Sequence, residues 1–193
     1  MKNFFSKYSY GIIKMFVNQF AISIFGAVLS MATDAAGNKA LTIVVSCFAI
    51  LFYLFLIYTM TWEIGAKDRI HVDMGKKEYR PHTGLVMSLL ANTPNIIIAV
   101  LFTIASPFMA TATWAGNLAA GASVATVFIQ GMYLGCITSI QIAGVALNKL
   151  WWTYFLIIVP SLVTSWVAYY LGHKEFRFFA ALTQKKSIDN KKK

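Results

Sequence analysis

Amide side chains interrupt two otherwise apolar stretches of this sequence. Asn18 and Gln19 stand in the first, and Asn92, Pro94 and Asn95 lie together in another. An amide both donates and accepts hydrogen bonds, so in an apolar medium it binds a polar solute or joins two helices. A proline inside a helix frees a carbonyl group, and broken helices line solute sites in transporters. These five residues are therefore candidates for a solute site, with helix packing as the alternative.

Residue types that serve catalysis or metal binding are scarce. The chain has seven Asp and Glu residues, and none lies well inside an apolar stretch. His71, Asp73 and His82 share one polar segment, but their spacing does not match a zinc site, which needs three or four ligands. Cys47 and Cys136 are interpreted as packing residues. With no HExxH or GxSxG motif in the sequence, we expect no enzyme activity, no metal and no other cofactor.

Membrane helices are the elements that must position these residues. Apolar residues make up 58% of the 193 residues and charged residues only 12%, whereas soluble proteins have about 25% charged residues. Uncharged blocks cover residues 15–33, 40–62, 83–148 and 150–172. A spanning helix needs about 20 mostly apolar residues, and nothing in these blocks alternates as a β-barrel strand does. The pattern predicts an all-α, polytopic integral membrane helical bundle.

The basic residues predict the orientation of this bundle. Fifteen of the 17 Lys and Arg residues lie before residue 15, between residues 63 and 82, or after residue 172; Lys39 and Lys149 are the exceptions. Positively charged loops stay in the cytoplasm, so both termini and the 63–83 loop are predicted to be cytoplasmic. The net charge of +10 therefore records orientation and does not indicate a nucleic-acid partner.

Orientation in turn limits the number of spans, because residues 83–172 must cross the membrane an even number of times. We prefer four spans, near residues 12–32, 40–62, 84–108 and 151–172, with 109–148 on the outer side as an interfacial or re-entrant region. In the alternative, residues 121–146 also span, through a small-residue row of Gly131, Gly135 and Ser139. That alternative gives five or six spans.

Charged residues of both signs crowd the 63–83 loop, and a turn at residues 73–76 between short alternating segments predicts a small hairpin. The tail at 173–193 is expected to form a basic amphipathic helix at the cytoplasmic surface. Such basic segments attract anionic lipid headgroups or a partner protein, and the alternative is a solvated connector that only sets topology. The candidate contacts are Lys67, Arg69, Lys76, Lys77, Arg80, Lys174 and Arg177.

Several short motifs resemble a loosely defined group of small polytopic membrane proteins of bacteria. They are Gly65-Ala66-Lys67-Asp68-Arg69 after the tryptophan-ended span, the basic loop with Gly75, Gly84-Leu85, Ala91-Asn92-x-Pro94-Asn95, and Tyr170-Leu171-Gly172-His173-Lys174. The resemblance covers about residues 55–105 and 165–180 and implies a location in the bacterial inner membrane. No activity attaches to the group.

Two functions fit this reading. The preferred prediction is a non-enzymatic accessory or structural membrane component that contacts a partner through its cytoplasmic loop. The partner would be another membrane protein, a cytosolic protein or a second copy of the chain, with membrane lipid around the bundle. The alternative is a small solute-binding or transport protein with a polar site at the kinked third helix.

Overall fold

The structure, a computed structural model, describes residues 2–76 and 78–175. It is 82% helical, which confirms the predicted all-α helical bundle. The predicted contacts Lys77 and Arg177, and the predicted tail helix beyond residue 175, lie outside the described residues. The helices are α1 (Lys2–Ala35), α2 (Lys39–Asp73), α3 (Thr83–Ala91), α4 (Thr93–Ala105), α5 (Thr113–Gln130), α6 (Leu134–Ser139), α7 (Thr153–Leu156) and α8 (Val159–His173), and the strands are β1 (Gln141–Ile142) and β2 (Val145–Ala146).

Helices α1 and α2 pack against each other as a long hairpin. Each has about 35 residues, hence a length of about 50 Å at 1.5 Å per residue. The turn between them uses Gly37, at a φ of 72°, and Asn38, whose side chain accepts a hydrogen bond from the backbone N–H of Leu41. A bilayer's hydrocarbon core is about 30 Å thick, so both helices are long enough to cross it and extend beyond one boundary.

The part of α2 nearest the α1–α2 turn buries small side chains and exposes large apolar ones. Its buried face includes Thr42, Ser46 and Ala49. Its exposed face carries large apolar side chains, among them Phe48 at 60% and Leu51 at 66% exposed. Helices in lipid pack through small residues and direct their larger apolar side chains outward, so this arrangement is that of a membrane-spanning helix.

Breaks divide the long uncharged block at residues 83–148. The predicted span at 84–108 consists of α3 and α4, which bend by 58° at Asn92, followed by a 3-10 turn to Phe108. Residues 113–139 were predicted to be interfacial or re-entrant. They form a helical segment that is long and apolar enough to cross a membrane, and a 3-10 turn directly after Gln130 interrupts it. The chain then forms the small antiparallel hairpin of β1 and β2, so the alternative span at 121–146 does not form as one helix.

Contacts between helices show which ends lie together. Tyr8 of α1 and Tyr169 of α8 both reach Asp68 near the end of α2, and Gly84 at the start of α3 touches the backbone of Ser165. We call this the basic end: residues 4–14, 63–76, 78–84 and 165–175. The N-terminal helix, the 63–82 segment and the end of α8 thus share one end, as the charge distribution predicts. The side of the membrane that this end faces stays a prediction.

The opposite end contains the α1–α2 turn. Gly135 of α6 lies against Thr42, close to the start of α2. Residues 83–139 therefore lead from the basic end to the opposite end, through several broken helices, and α7 and α8 return to the basic end. How many times this path crosses the membrane before the last helix stays a prediction from the charges.

The predicted hairpin in the 63–83 loop is wrong. Residues 63–73 continue α2 as helix, and the pairs Glu63–Lys67 and Arg69–Asp73 are spaced four residues apart along it. An isolated two-stranded hairpin is marginally stable in water, whereas extending a helix that is already formed adds one hydrogen bond per residue. The turn comes at Gly75, at a φ of 67°.

Candidate functional site

A buried carboxylate joins three helices at the basic end. Asp68 is only 3% exposed. One of its oxygens accepts hydrogen bonds from the hydroxyl of Tyr8 at 2.5 Å and from that of Tyr169 at 2.8 Å. The other oxygen lies 3.4 Å from the ammonium of Lys7. Burying a carboxylate is costly without such partners, so these contacts hold α1, α2 and α8 in one arrangement.

Sequence reasoning missed Asp68 because it was counted among the charges of a surface loop. A usable signal was present in its spacing. Thr61, Gly65 and Asp68 continue the buried stripe of α2 at intervals of four and three residues, the spacing of one helix face. A helix extended beyond Trp62 would have placed the carboxylate against its neighbours.

Glycines let the helices come close enough for this arrangement. A Cβ atom on Gly172 of α8 would overlap the carbonyl oxygen of Trp62, and one on Gly65 of α2 would overlap that of Tyr169. Small residues allow this close approach of helix backbones in membranes. The same reason applies to Gly131, which lies against Ser23, and to Gly135, which lies against Thr42, although the two glycines are not in one helix.

The predicted polar residues of the third block meet at the bend between α3 and α4. The side-chain nitrogen of Asn92 donates to the carbonyl oxygen of Ser88 at 2.9 Å and to the hydroxyl of Ser161 on α8 at 3.1 Å. Its oxygen accepts from the amide of Asn95 at 2.8 Å. Pro94 lies in the first turn of α4, where a missing N–H costs nothing. Asn92 therefore joins α3 and α8 through bonds made within the protein.

The remaining predicted amides do not join this cluster through any hydrogen bond of the described residues. Gln19 is 1% exposed, and its side-chain oxygen has no hydrogen-bond partner among the described residues. Within the cluster, the side-chain oxygen of Asn95 also has no such partner. Asn18 is half-buried. Gln19, Ser23 and Ser30 share the buried face of α1. Ser23 donates to the carbonyl oxygen of Ile129, just before the break after α5.

Three of the five predicted cationic contacts that the structure describes already have a partner. Lys67 pairs with Glu63 at 2.7 Å, and Arg69 lies 3.4 Å from Asp73 and 3.5 Å from Glu175. Lys174 lies over the ring of Tyr170, at 4.5 Å from the centroid, and its hydrogen bond to Tyr170 raises the pKa of Lys174. Lys76 and Arg80 are exposed and form no ion pair with a described residue.

Two cavities open at the basic end. An apolar groove of about 590 Å³ lies between the start of α1 and α3, with Phe4, Phe5 and Val86 among its walls and Arg80 and His82 at its border. A more polar cavity of about 430 Å³ lies between α1 and α2, and its lining includes Lys14, Glu63 and Asp68. The groove combines apolar walls with Arg80, a cation that forms no ion pair with any described residue.

A third cavity is small and lies beside the break after α5. It measures about 60 Å³, and its lining includes Gln130, Asn148 and Tyr154. The side-chain oxygens of Gln130 and Asn148 have no hydrogen-bond partner among the described residues. This volume holds a few water molecules, not a metabolite.

The two cysteines, which are 89 residues apart in sequence, are neighbours in the structure. The sulfur of Cys47 on α2 lies 3.9 Å from that of Cys136 on α6. Cys47 is exposed and Cys136 is half-buried. The two cysteines therefore lie at the surface where α2 meets α6, a proximity that the sequence did not predict. Within the described part of the chain, no three His, Cys, Asp or Glu residues are grouped to hold a metal.

These features together define the class of protein. Among the described residues, four helices are long and apolar enough to cross a membrane, and the bent pair α3–α4 counts as a fifth if it is one span. With large apolar side chains exposed on the helices and polar side chains buried among apolar ones inside, this is the architecture of a multi-pass membrane protein. Comparisons with family models, curated proteins and solved structures give no match to this chain. The resemblance to a bacterial group therefore stays a prediction.

Proposed function

We propose that this protein is a non-enzymatic accessory component of the bacterial inner membrane that binds a partner at its basic end. The observation that carries the proposal is the groove of about 590 Å³ bordered by Arg80. The groove lies at the end of the bundle where Asp68 holds three helices together. A cation that forms no ion pair within the described part of the chain, next to an apolar groove, is a surface suited to docking.

The chemistry of the groove selects a kind of partner. Phe5 and Val86 in its walls are 54% and 38% exposed, so an apolar side chain of the partner would be buried there. Arg80 favours an acidic group next to that side chain. We therefore expect an apolar segment with acidic residues, from a cytosolic protein or from the cytoplasmic part of a membrane protein. The cytoplasmic placement rests on the positive-inside rule.

Site-specific crosslinking in native membranes tests this proposal. A photo-reactive residue replaces Val86, and the crosslinked products are compared between the wild type, Arg80→Glu and the matched control Lys149→Glu. We expect one defined protein product that Arg80→Glu removes and Lys149→Glu leaves unchanged. Products from lipid alone, from a second copy of the chain, or of equal yield in both variants would contradict the proposal.

The alternative is a solute-binding or transport protein, favoured by the 58° bend at a buried asparagine. The three short hydrogen bonds of Asn92 are all made to groups of the protein, which supports packing. A thermal-shift screen with small metabolites on the purified protein separates the two functions. Stabilisation that disappears in Asn95→Ala would favour solute binding, and its absence across the screen would exclude that site.

A further inference from the structure

The two thiols are held at a fixed contact between α2 and α6. The residue beside Cys47 is Ser46, which is buried and shares a hydrogen bond of 3.0 Å with Ser30 of α1. The residue beside Cys136 is Gly135, whose close approach to Ser46 and Thr42 leaves no room for a side chain. Both thiols therefore flank a tight backbone contact, and their 3.9 Å separation follows from that packing.

This geometry is suited to forming a covalent bond. A disulfide has an S–S length of about 2.05 Å, so the sulfurs must approach each other by about 2 Å, which side-chain rotation provides. The chain contains two cysteines in all, so an intramolecular disulfide has a single pairing. We propose that Cys47 and Cys136 form a reversible dithiol–disulfide pair that fastens α6 to α2.

The reaction proceeds by thiol–disulfide exchange with a disulfide reagent or a disulfide-bearing protein. Cys47 is the more exposed thiol, so its thiolate attacks the external disulfide, forming a mixed disulfide and releasing one external thiol. The Cys136 thiolate then attacks the sulfur of Cys47 and displaces the second external thiol. Two electrons pass from the cysteine pair to the external disulfide, and the two cysteine protons end on the released thiols.

The location of the pair makes this chemistry relevant to the protein. Cys47 lies eight residues from Lys39, where α2 begins, in the half of the bundle opposite the basic end. If the basic end is cytoplasmic, the pair lies toward the outer side, where thiols are exposed to oxidising conditions. Formation of the disulfide would hold α6 against α2. Because α6 comes directly after the break at Gln130, the helices on the two sides of the break could then move less relative to each other.

Full-length protein in native membranes is treated with the membrane-permeant disulfide 4,4′-dithiodipyridine, then alkylated, and its peptides are analysed by mass spectrometry. We expect a linked peptide pair joining residues 47 and 136, which dithiothreitol removes, and a higher unfolding temperature for the oxidised protein in mild detergent. Cys136→Ser should instead retain the mixed disulfide at Cys47.

The matched control moves one thiol round the helix. Cys47→Ser with Phe48→Cys keeps two thiols in the chain but turns one by about 100°, onto the lipid-facing surface where Phe48 is 60% exposed. This control should lose the intramolecular product. A wild-type protein that gives only mixed disulfides, only links between chains, or the same yield as the control would overturn the proposal.

Discussion

The hydroxyl of Tyr169 donates a hydrogen bond of 2.8 Å to the carboxylate of Asp68, across 101 residues of chain. The hydroxyl of Tyr8 donates to the same oxygen from a third helix. One buried charge thus determines how α1, α2 and α8 meet at the end of the bundle that we propose as the docking surface. Loss of this charge should affect the whole basic end.

Removing the Asp68 carboxylate should destabilise the protein. Asp68→Ala removes the carboxylate that accepts from the hydroxyls of Tyr8 and Tyr169 and pairs with Lys7. We expect a cost of about 3 kcal/mol in the free energy of unfolding. Thermal unfolding in mild detergent measures the change. Asp73→Ala, which removes an exposed carboxylate from the same helix, should change the stability by less than about 0.5 kcal/mol. Equal effects of the two substitutions would show that Asp68 has no special structural role.

Adding one methyl group at Gly172 should separate α8 from α2. The Cβ atom of Gly172→Ala would overlap the carbonyl oxygen of Trp62, so a backbone must shift, at a cost of about 3 kcal/mol. The same change at Gly121 of α5 meets no atom within 4 Å. Because alanine favours helix over glycine, Gly121→Ala should be neutral or stabilise the protein by roughly 0.5–1 kcal/mol. A tolerated Gly172→Ala would contradict the helix contact, and unfolding temperatures distinguish the two results.

The amide of Asn92 should contribute to stability through the contact between α3 and α8. Asn92→Ala removes its bonds to Ser161 and to Asn95, and we expect a loss of about 1–2 kcal/mol. Thr93→Ala alters the adjacent, exposed residue and should cost much less. If Asn92→Ala unfolds at the wild-type temperature in a detergent thermal scan, the cluster does not hold the helices together.

Labelling of single cysteines tests the path of the chain. In a background with Cys47→Ser and Cys136→Ser, Lys39→Cys and Lys149→Cys should react with an impermeant maleimide in intact cells. Lys76→Cys, at the basic end, should react only after permeabilisation. Reporter fusions after residues 118 and 148 provide a second measurement, and both are expected to report the outer side. If Lys76→Cys reacts in intact cells, the basic end faces the outer side, which would contradict the predicted orientation.

The amino-acid sequence by itself determined the class of the fold and the grouping of its ends. Long uncharged blocks in an apolar chain can only satisfy their backbone groups in a bilayer as helices or closed barrels, and the helical bundle is confirmed. The basic residues predicted that residues 2–14, 63–82 and the segment after 172 lie on one side. The contacts of Tyr8, Asp68 and Tyr169 bring the described ends of α1, α2 and α8 together. The positions of the charged residues along the chain suffice to predict which segments share a side, because this grouping does not depend on how the helices pack.

Only the tertiary structure decided which distant residues meet. The burial of Asp68, the bend at Asn92 and the approach of Cys47 to Cys136 all depend on how each helix is rotated about its axis and where it breaks. The sequence of an uncharged block shows neither the rotation of its helix nor the place where the helix breaks. Most of its apolar side chains are equally suited to contact with lipid and with a neighbouring helix. Close contacts at Gly65, Gly135 and Gly172 set those rotations, and such contacts exist only once the helices are packed together.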